Sequence, residues 1–286
     1  MKVSGFTIIR NGVEYSYPFL EAIQSILPLC DEVIVNYGIS DDSTLQQLQT
    51  LRSGKIKIIE RQWDLSLREE GKLLAQETNA ALDYCTGDWC FYIQADEVVH
   101  EQDYEAILGA MRRYHNDKSV EGLRFWYKHF YGNYDYLQDN FRLWYVQEVR
   151  VIKNNRSIRS WGDAMGFKHS DGTEIRSKRI NARIYHYGWV RPPHRMKTKK
   201  EHFEKLYHSD AELTAITIPE NIYTHLGHLR RFTETHPAVM RERIQNCDWE
   251  FNPHIEQQLP RWLRLAILFS EPLTKRVRRL LSTLKR

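Results

Sequence analysis

Residues 76–97, QETNAALDYCTGDWCFYIQADE, compress a helix, a tight turn and a strand into one stretch. The helix ends at the turn on Gly87. An apolar strand, CFYI at 90–93, then runs into two acids, Asp96 and Glu97. The same strand–helix rhythm extends back to the first residue. Val3 to Arg10 and Val33 to Asn36 read as strands, and so do Lys55 to Glu60 and Trp89 to Gln94. Between them lie three helical patterns. The first starts at Tyr17-Pro18 and carries Phe19, Ala22, Ile23, Ile26 and Leu27. The second is capped by Ser43 and stopped by Gly54, and the third spans about Ser66 to Tyr84. This alternation predicts an α/β chain whose mostly parallel central sheet is flanked by helices. Ligands of such sheets bind beyond the carboxyl ends of the strands. That rule selects Asn11, Asn36 to Ser40, Trp63-Asp64 and Gln94 to Glu97.

Beyond a helix near Asp103 to Tyr114 the pattern changes. Gly122 to Tyr131, Gln147 to Lys153 and Asn181 to Val190 read as longer strands. From Met196 onward the sequence is helical, polar and His-rich, broken at Pro219, Pro237, Pro253 and Pro260. Residues 1–195 therefore read as one α/β domain in two parts, 1–100 carrying the ligand-binding strand ends and 101–195 the longer strands. Residues 196–286 read as a mainly helical C-terminal extension.

Of 286 residues 42% are hydrophobic and 27% charged, an ordinary globular balance. Four cysteines without CxxC spacing exclude a disulfide scaffold and a zinc ribbon, and suit a reducing cytosol. The opening MKVSGFTIIR lacks the apolar run of a signal peptide, and Leu265 to Phe269 is far too short to span a membrane. The net charge of +4 is unevenly spread. Leu259 to Arg286 holds eight basic residues against Glu271, leaving 33 basic and 36 acidic residues elsewhere. A net acidic body argues against a nucleic-acid partner. In the tail Val277, Leu280, Leu281 and Leu284 repeat at helical spacing opposite Arg278, Arg279 and Lys285. This reads as a basic amphipathic segment lying on an anionic membrane surface, or as a helix packed on the body with snorkelling arginines.

Two acids at the ligand-binding edge of a sheet repel one another. That suits a divalent cation holding a phosphate, or the N-cap of a following helix. Here the sequence resembles the family 2 glycosyltransferases. TIIRN (7–11), CDEVIVNYGISDDST (30–44) and the stretch quoted above occur in the family's order. The resemblance implies that 1–195 is a catalytic domain of GT-A, Rossmann-like fold, with 1–100 the half that takes a nucleoside-diphosphate sugar as donor and 101–195 the acceptor half. It implies transfer with inversion to a glycan or lipid-linked acceptor in cell-surface polysaccharide synthesis, usually with Mn²⁺ or Mg²⁺. The enzyme would then work in the cytoplasm, peripheral to the inner face of the membrane. Two positions depart from the family pattern. The DxD motif appears as Gln94-Ala95-Asp96, and the acids of the second-strand turn are replaced by Asn36-Tyr37.

On this resemblance Asp96 is the metal ligand with Glu97 in support, and His186 is a third ligand from a late strand or a histidine satisfied by a neighbouring hydroxyl or carboxylate. Arg10, Asn11, Asn36, Ser40, Gln76, Asn79 and Gln94 contact the donor. Arg191, Arg195, Lys197, Lys199 and Lys200 form a basic loop after Pro192-Pro193, read as closing over the diphosphate through Arg191 or as a solvated face. A carboxylate must take the acceptor's proton, Asp163 first and Glu148 second, although Asp163 also reads as a turn residue beside Gly162. Phe125 to Tyr145 holds ten aromatics in twenty-one residues, suited in part to stacking on sugar rings and in part to core. Its His129-Phe130-Tyr131-Gly132 is the first stretch to inspect. Two other readings compete. One is a catalytically degenerate glycan-binding scaffold, favoured by Asn36 and Gln94. The other is a sugar nucleotidyltransferase, disfavoured because Arg10 to Glu14 is poor in glycine.

Overall fold

The computed structural model describes residues 1–68, 71–138, 144–219, 222–224 and 229–253. β1 (Val3–Ile9) is buried at every position, as a strand covered on both faces must be. α1 (Phe19–Ile26) buries Phe19, Ala22, Ile23 and Ile26, a single helical stripe. β2 (Glu32–Gly38), α2 (Thr44–Leu48), β3 (Ile56–Arg61), α3 (Lys72–Leu82) and β4 (Trp89–Tyr92) complete the alternating half. Strands β3, β2, β1 and β4 lie side by side in that order and are all parallel.

α3 begins later than its pattern predicts. Asp64 accepts hydrogen bonds from the Ser66 backbone N–H and hydroxyl, which holds that stretch in a turn. Gly71, at φ +70, then sets the helix start. The acids at 96–97 do not cap a helix. Glu97 opens a short strand, β5 (Glu97–Val99), and α4 (Tyr104–Tyr114) starts seven residues further on.

β6 (Gly122–Gln138) and β7 (Gln147–Lys153) precede a separate hairpin of β8 (Ile158–Trp161) and β9 (Gly166–His169). β10 (Ser177–Val190) follows. From β4 the main sheet continues through β7, β6 and β10 to β5. This half is mixed: β6–β10 is parallel, whereas β4–β7, β6–β7 and β10–β5 are antiparallel. Apolar layers cover both faces. Phe19, Ile23 and Ile26 of α1 pack with Ile107 and Met111 of α4 in one cluster. Leu73, Ala81 and Leu82 of α3 pack with Ile158 and Phe167 in the other.

Past Met196 the described chain is less continuously helical than its pattern suggests. α5 (Pro193–Glu204) and α6 (Asp210–Leu213) are followed by a strand, β11 (Leu229–Arg231), that pairs with β6, and by α7 (Arg241–Gln245). The prolines at 219, 237 and 253 lie between or beyond these short elements, where a missing N–H and a fixed φ cannot continue a helix. The basic segment Leu259 to Arg286 lies outside the described residues. Among the described residues no helix is long and apolar enough to cross a membrane.

Candidate active site

A cleft of about 780 Å³ opens beyond the carboxyl ends of β1 and β4. Its wall includes Arg10 and Asn11 from the exit of β1, Gln94 and Asp96 from the exit of β4, and His186 and Lys199. Asp96 meets His186 through backbone pairing. β5 runs antiparallel to β10 with Glu97 opposite His186, and the Tyr187 N–H donates to the Asp96 carbonyl at 2.8 Å. The β6–β10 register shifts between His186 and Trp189, a bulge of the kind that re-aims side chains beside functional sites. Within it lies Gly188, where a Cβ would fall 2.5 Å from His186 Nε2 and 2.9 Å from Asp96 Oδ2. The missing side chain is what leaves the space between these two groups.

Asp96 Oδ1 stands 3.8 Å from His186 Nε2, and Asp96 Oδ2 lies 3.3 Å from Lys199 Nζ. Burial opposes ionisation of Asp96, yet Lys199, His186 and Arg191 outweigh it and hold its pKa below the ordinary value. Burial pushes the His186 pKa down to about 4, so the ring is neutral at physiological pH. Burial, with Arg191 nearby, lowers that of Lys199 to about 7. Arg191 is fully buried, and its three guanidinium nitrogens find no hydrogen-bond acceptor among the described residues. It packs over the Tyr17 ring, as does Lys199, at 5.0 and 4.9 Å. A buried guanidinium without an acceptor is costly. An anion in the adjacent cleft would offset that cost. The predicted basic loop is therefore α5, begun by Pro193 at its first position, and Lys199 is a half-buried wall residue rather than a solvated one.

Glu97 is placed differently from its predicted role. It is fully buried in a two-pronged ion pair with Arg150, both oxygens at 2.8 Å, and accepts from the Tyr127 hydroxyl at 2.7 Å. The Gln94 N–H adds a further bond at 3.1 Å. With both oxygens taken, Glu97 positions Arg150 instead of facing a cation. Arg150 also donates to the Val149 and Met165 carbonyls and packs over the Tyr92 and Tyr127 rings. Local sequence gave no signal for this arginine, because its carboxylate is 53 residues away.

The predicted donor residues divide. Arg10, Asn11 and Gln94 line the cleft; Arg10 donates to the Ile39 carbonyl, and Gln94 reaches the Ala164 carbonyl. Ser40 clamps two loops, accepting from the Asn11 N–H and donating to the Gly38 carbonyl. Asn36 is fully buried and spends its amide on Glu77, itself paired with Arg61, so it is a core residue. Asn79 exchanges two hydrogen bonds with the Ser160 backbone and ties α3 to β8. Gln76 is exposed on α3 and does not reach the cleft wall.

Of the two predicted bases, Asp163 lines the cleft. Its Oδ2 accepts from the Tyr207 hydroxyl at 2.9 Å, while buried Oδ1 has no partner among the described residues. Gly71 makes this placement possible, since a Cβ there would sit 2.5 Å from Asp163 Cβ. Glu148 lies off the wall on β7, where burial raises its pKa. Among the described residues of the aromatic run only Trp144 and Tyr145 reach the cleft, joined by Trp189. His129, Phe130 and Tyr131 are buried behind it.

Among the described residues no group of three or more His, Cys, Asp or Glu side chains gathers as a metal site. Asp96 and His186 nevertheless suit a divalent cation. They offer one carboxylate oxygen and one imidazole nitrogen across a gap kept open by Gly188, leaving other positions for phosphate oxygens and water.

The sequence matches the family described as glycosyl transferase family 2 over residues 10–173. A search of curated proteins finds no match. Among solved structures, S. aureus TarS 1–349 in complex with UDP-GlcNAc is 20% identical, with 47% of this chain and 36% of that one covered at a TM-score of 0.35. S. aureus TarS is 15% identical over 70% of this chain and 38% of that one, at 0.41. TarS 1–349 in complex with UDP is also 15% identical, over 74% and 68%, again at 0.41. This chain thus spans little more than a third of the first two.

Proposed function

The chain belongs to glycosyltransferase family 2, and from that premise we propose that it moves a sugar from a nucleoside-diphosphate donor to an acceptor hydroxyl, with inversion, in the cleft beyond β1 and β4. One observation carries the reading: Asp96, His186 and Lys199 converge on that cleft, with Arg191, which has no hydrogen-bond acceptor among the described residues, close by. Asp96 and His186 would hold Mn²⁺ or Mg²⁺. When bound, the metal supplies electrophilic stabilisation to the leaving diphosphate. Lys199 then shifts its charge from Asp96 to the phosphate oxygens, and Arg191 raises the local positive potential from behind. Arg10, Asn11 and Gln94 flank the donor. Asp163, held at Oδ2 by the Tyr207 hydroxyl, takes the acceptor's proton. Trp144, Tyr145 and Trp189 offer faces for the sugar rings of a glycan or lipid-linked acceptor. The basic tail would keep the enzyme on the cytoplasmic face of an anionic membrane, where acceptors for cell-surface polysaccharide are presented.

Calorimetric titration of UDP-, GDP- and dTDP-sugars, with and without Mn²⁺, tests this reading. Binding of one donor strengthened by Mn²⁺, together with donor hydrolysis abolished by Asp96→Ala, is the expected result. Tight glycan binding without nucleotide affinity would overturn it in favour of a glycan-binding scaffold.

A further inference from the structure

The register of β6 against β10 sets His129 beside His186, and their Nδ1 atoms lie 2.8 Å apart. On its other side His129 Nε2 lies 2.7 Å from the Tyr145 backbone carbonyl. A carbonyl can only accept, so His129 Nε2 must carry a proton. A second proton would place an imidazolium among the rings of Tyr127, Trp144 and Tyr145, with centroids 5.3, 5.0 and 4.7 Å away. Burial opposes that, because the enclosed ring touches only the His186 ring and a neutral carbonyl in its hydrogen bonds and has no carboxylate to balance a charge. Neutral His129 therefore accepts at Nδ1, and the shared proton belongs to His186 Nδ1. With its proton committed to that bond, the neutral form of His186 is left with a bare Nε2.

That nitrogen faces Asp96 Oδ1 at 3.8 Å, too far for a hydrogen bond. Two lone-pair donors thus confront one another across the space beside Gly188. We propose that His129 is a positioning residue: by relaying the polarity of the Tyr145 carbonyl, it locks His186 in the tautomer whose Nε2 accepts a cation shared with Asp96. The inference rests on the metal reading above, but the tautomer is measurable without metal. A ligating histidine is commonly oriented by a hydrogen bond to its other nitrogen. Here that acceptor is a second histidine whose own direction is fixed by main chain.

The test uses the ¹⁵N-labelled full chain, with two-bond ¹H–¹⁵N spectra of its imidazoles near neutral pH and Mn²⁺ titration by calorimetry. The wild-type chain should show His186 protonated at Nδ1 and bare at Nε2. His129→Leu should shift His186 toward the Nε2-protonated form and weaken Mn²⁺ binding roughly 10- to 100-fold. His129→Gln, whose amide can donate to Tyr145 and accept from His186, should restore both. A wild-type His186 protonated at Nε2 overturns the proposal, even if His129→Leu fails to fold. Unchanged tautomer and Mn²⁺ affinity in folded His129→Leu overturn it too. A wild-type chain with bare Nε2 but no Mn²⁺ binding removes the metal reading instead, and the tautomer shift in His129→Leu still decides the relay.

Discussion

Glu97→Gln separates a structural carboxylate from a metal ligand. The wild-type side chain is fully buried, and Arg150 opposite is 1% exposed. Neutralising Glu97 leaves the guanidinium with the Val149 and Met165 carbonyls but no counter-charge. Breaking one side of a buried pair costs about 3–5 kcal/mol. Glutamine keeps one acceptor oxygen, so the lower end applies. Against a total stability of about 5–15 kcal/mol the loss is large. At about 2–4 °C per kcal/mol for a chain of this size, melting should fall by roughly 6–12 °C. Calorimetric melting measures this, and Mn²⁺ titration well below the transition supplies the second readout. The variant should bind Mn²⁺ like wild type. Removing both charges together, Glu97→Leu with Arg150→Met, should recover roughly 2 kcal/mol of the loss. Unchanged melting with abolished Mn²⁺ binding would refute the reasoning and return Glu97 to the ligand set.

Three further outcomes are expected. Protonated Lys199 occupies Asp96 and repels a cation, so Mn²⁺ affinity without donor should rise as pH increases through about 7, where Lys199 loses its proton. Lys199→Met should flatten that rise in a pH series of titrations. Asp163→Asn should lower kcat for transfer by roughly 10²–10⁴ while leaving donor affinity intact, measured by steady-state kinetics and calorimetry. Deleting residues 259–286 should move the chain from the membrane to the soluble fraction with donor hydrolysis preserved; loss of folding would favour a tail packed on the body.

The parallel half of the fold was legible because its signals are local. The all-buried β1 and the stripe Phe19, Ala22, Ile23, Ile26 each lie within one strand or helix. Asp96 was legible for the same reason, at the end of an apolar strand. What sequence could not supply were partners brought in by distant strands. Arg150 neutralises Glu97 from β7, Glu77 consumes Asn36 from α3, and Ser160 consumes Asn79 from β8. Lys199 looked like one basic residue among several until α5 turned it inward beside Tyr17. Sequence singles out the stretch His129-Phe130-Tyr131-Gly132 but not the role of His129, which depends on the β6–β10 register and on the Tyr145 carbonyl.

A crystal structure of the chain with Mn²⁺ and a bound nucleoside diphosphate, the metal located by anomalous scattering, tests the central claim most directly. The metal should lie between Asp96 and His186 Nε2, with the diphosphate against Lys199 and Glu97 still on Arg150. A diphosphate outside this cleft, or bound in it while Lys199 still holds Asp96 and no metal is present, would contradict it.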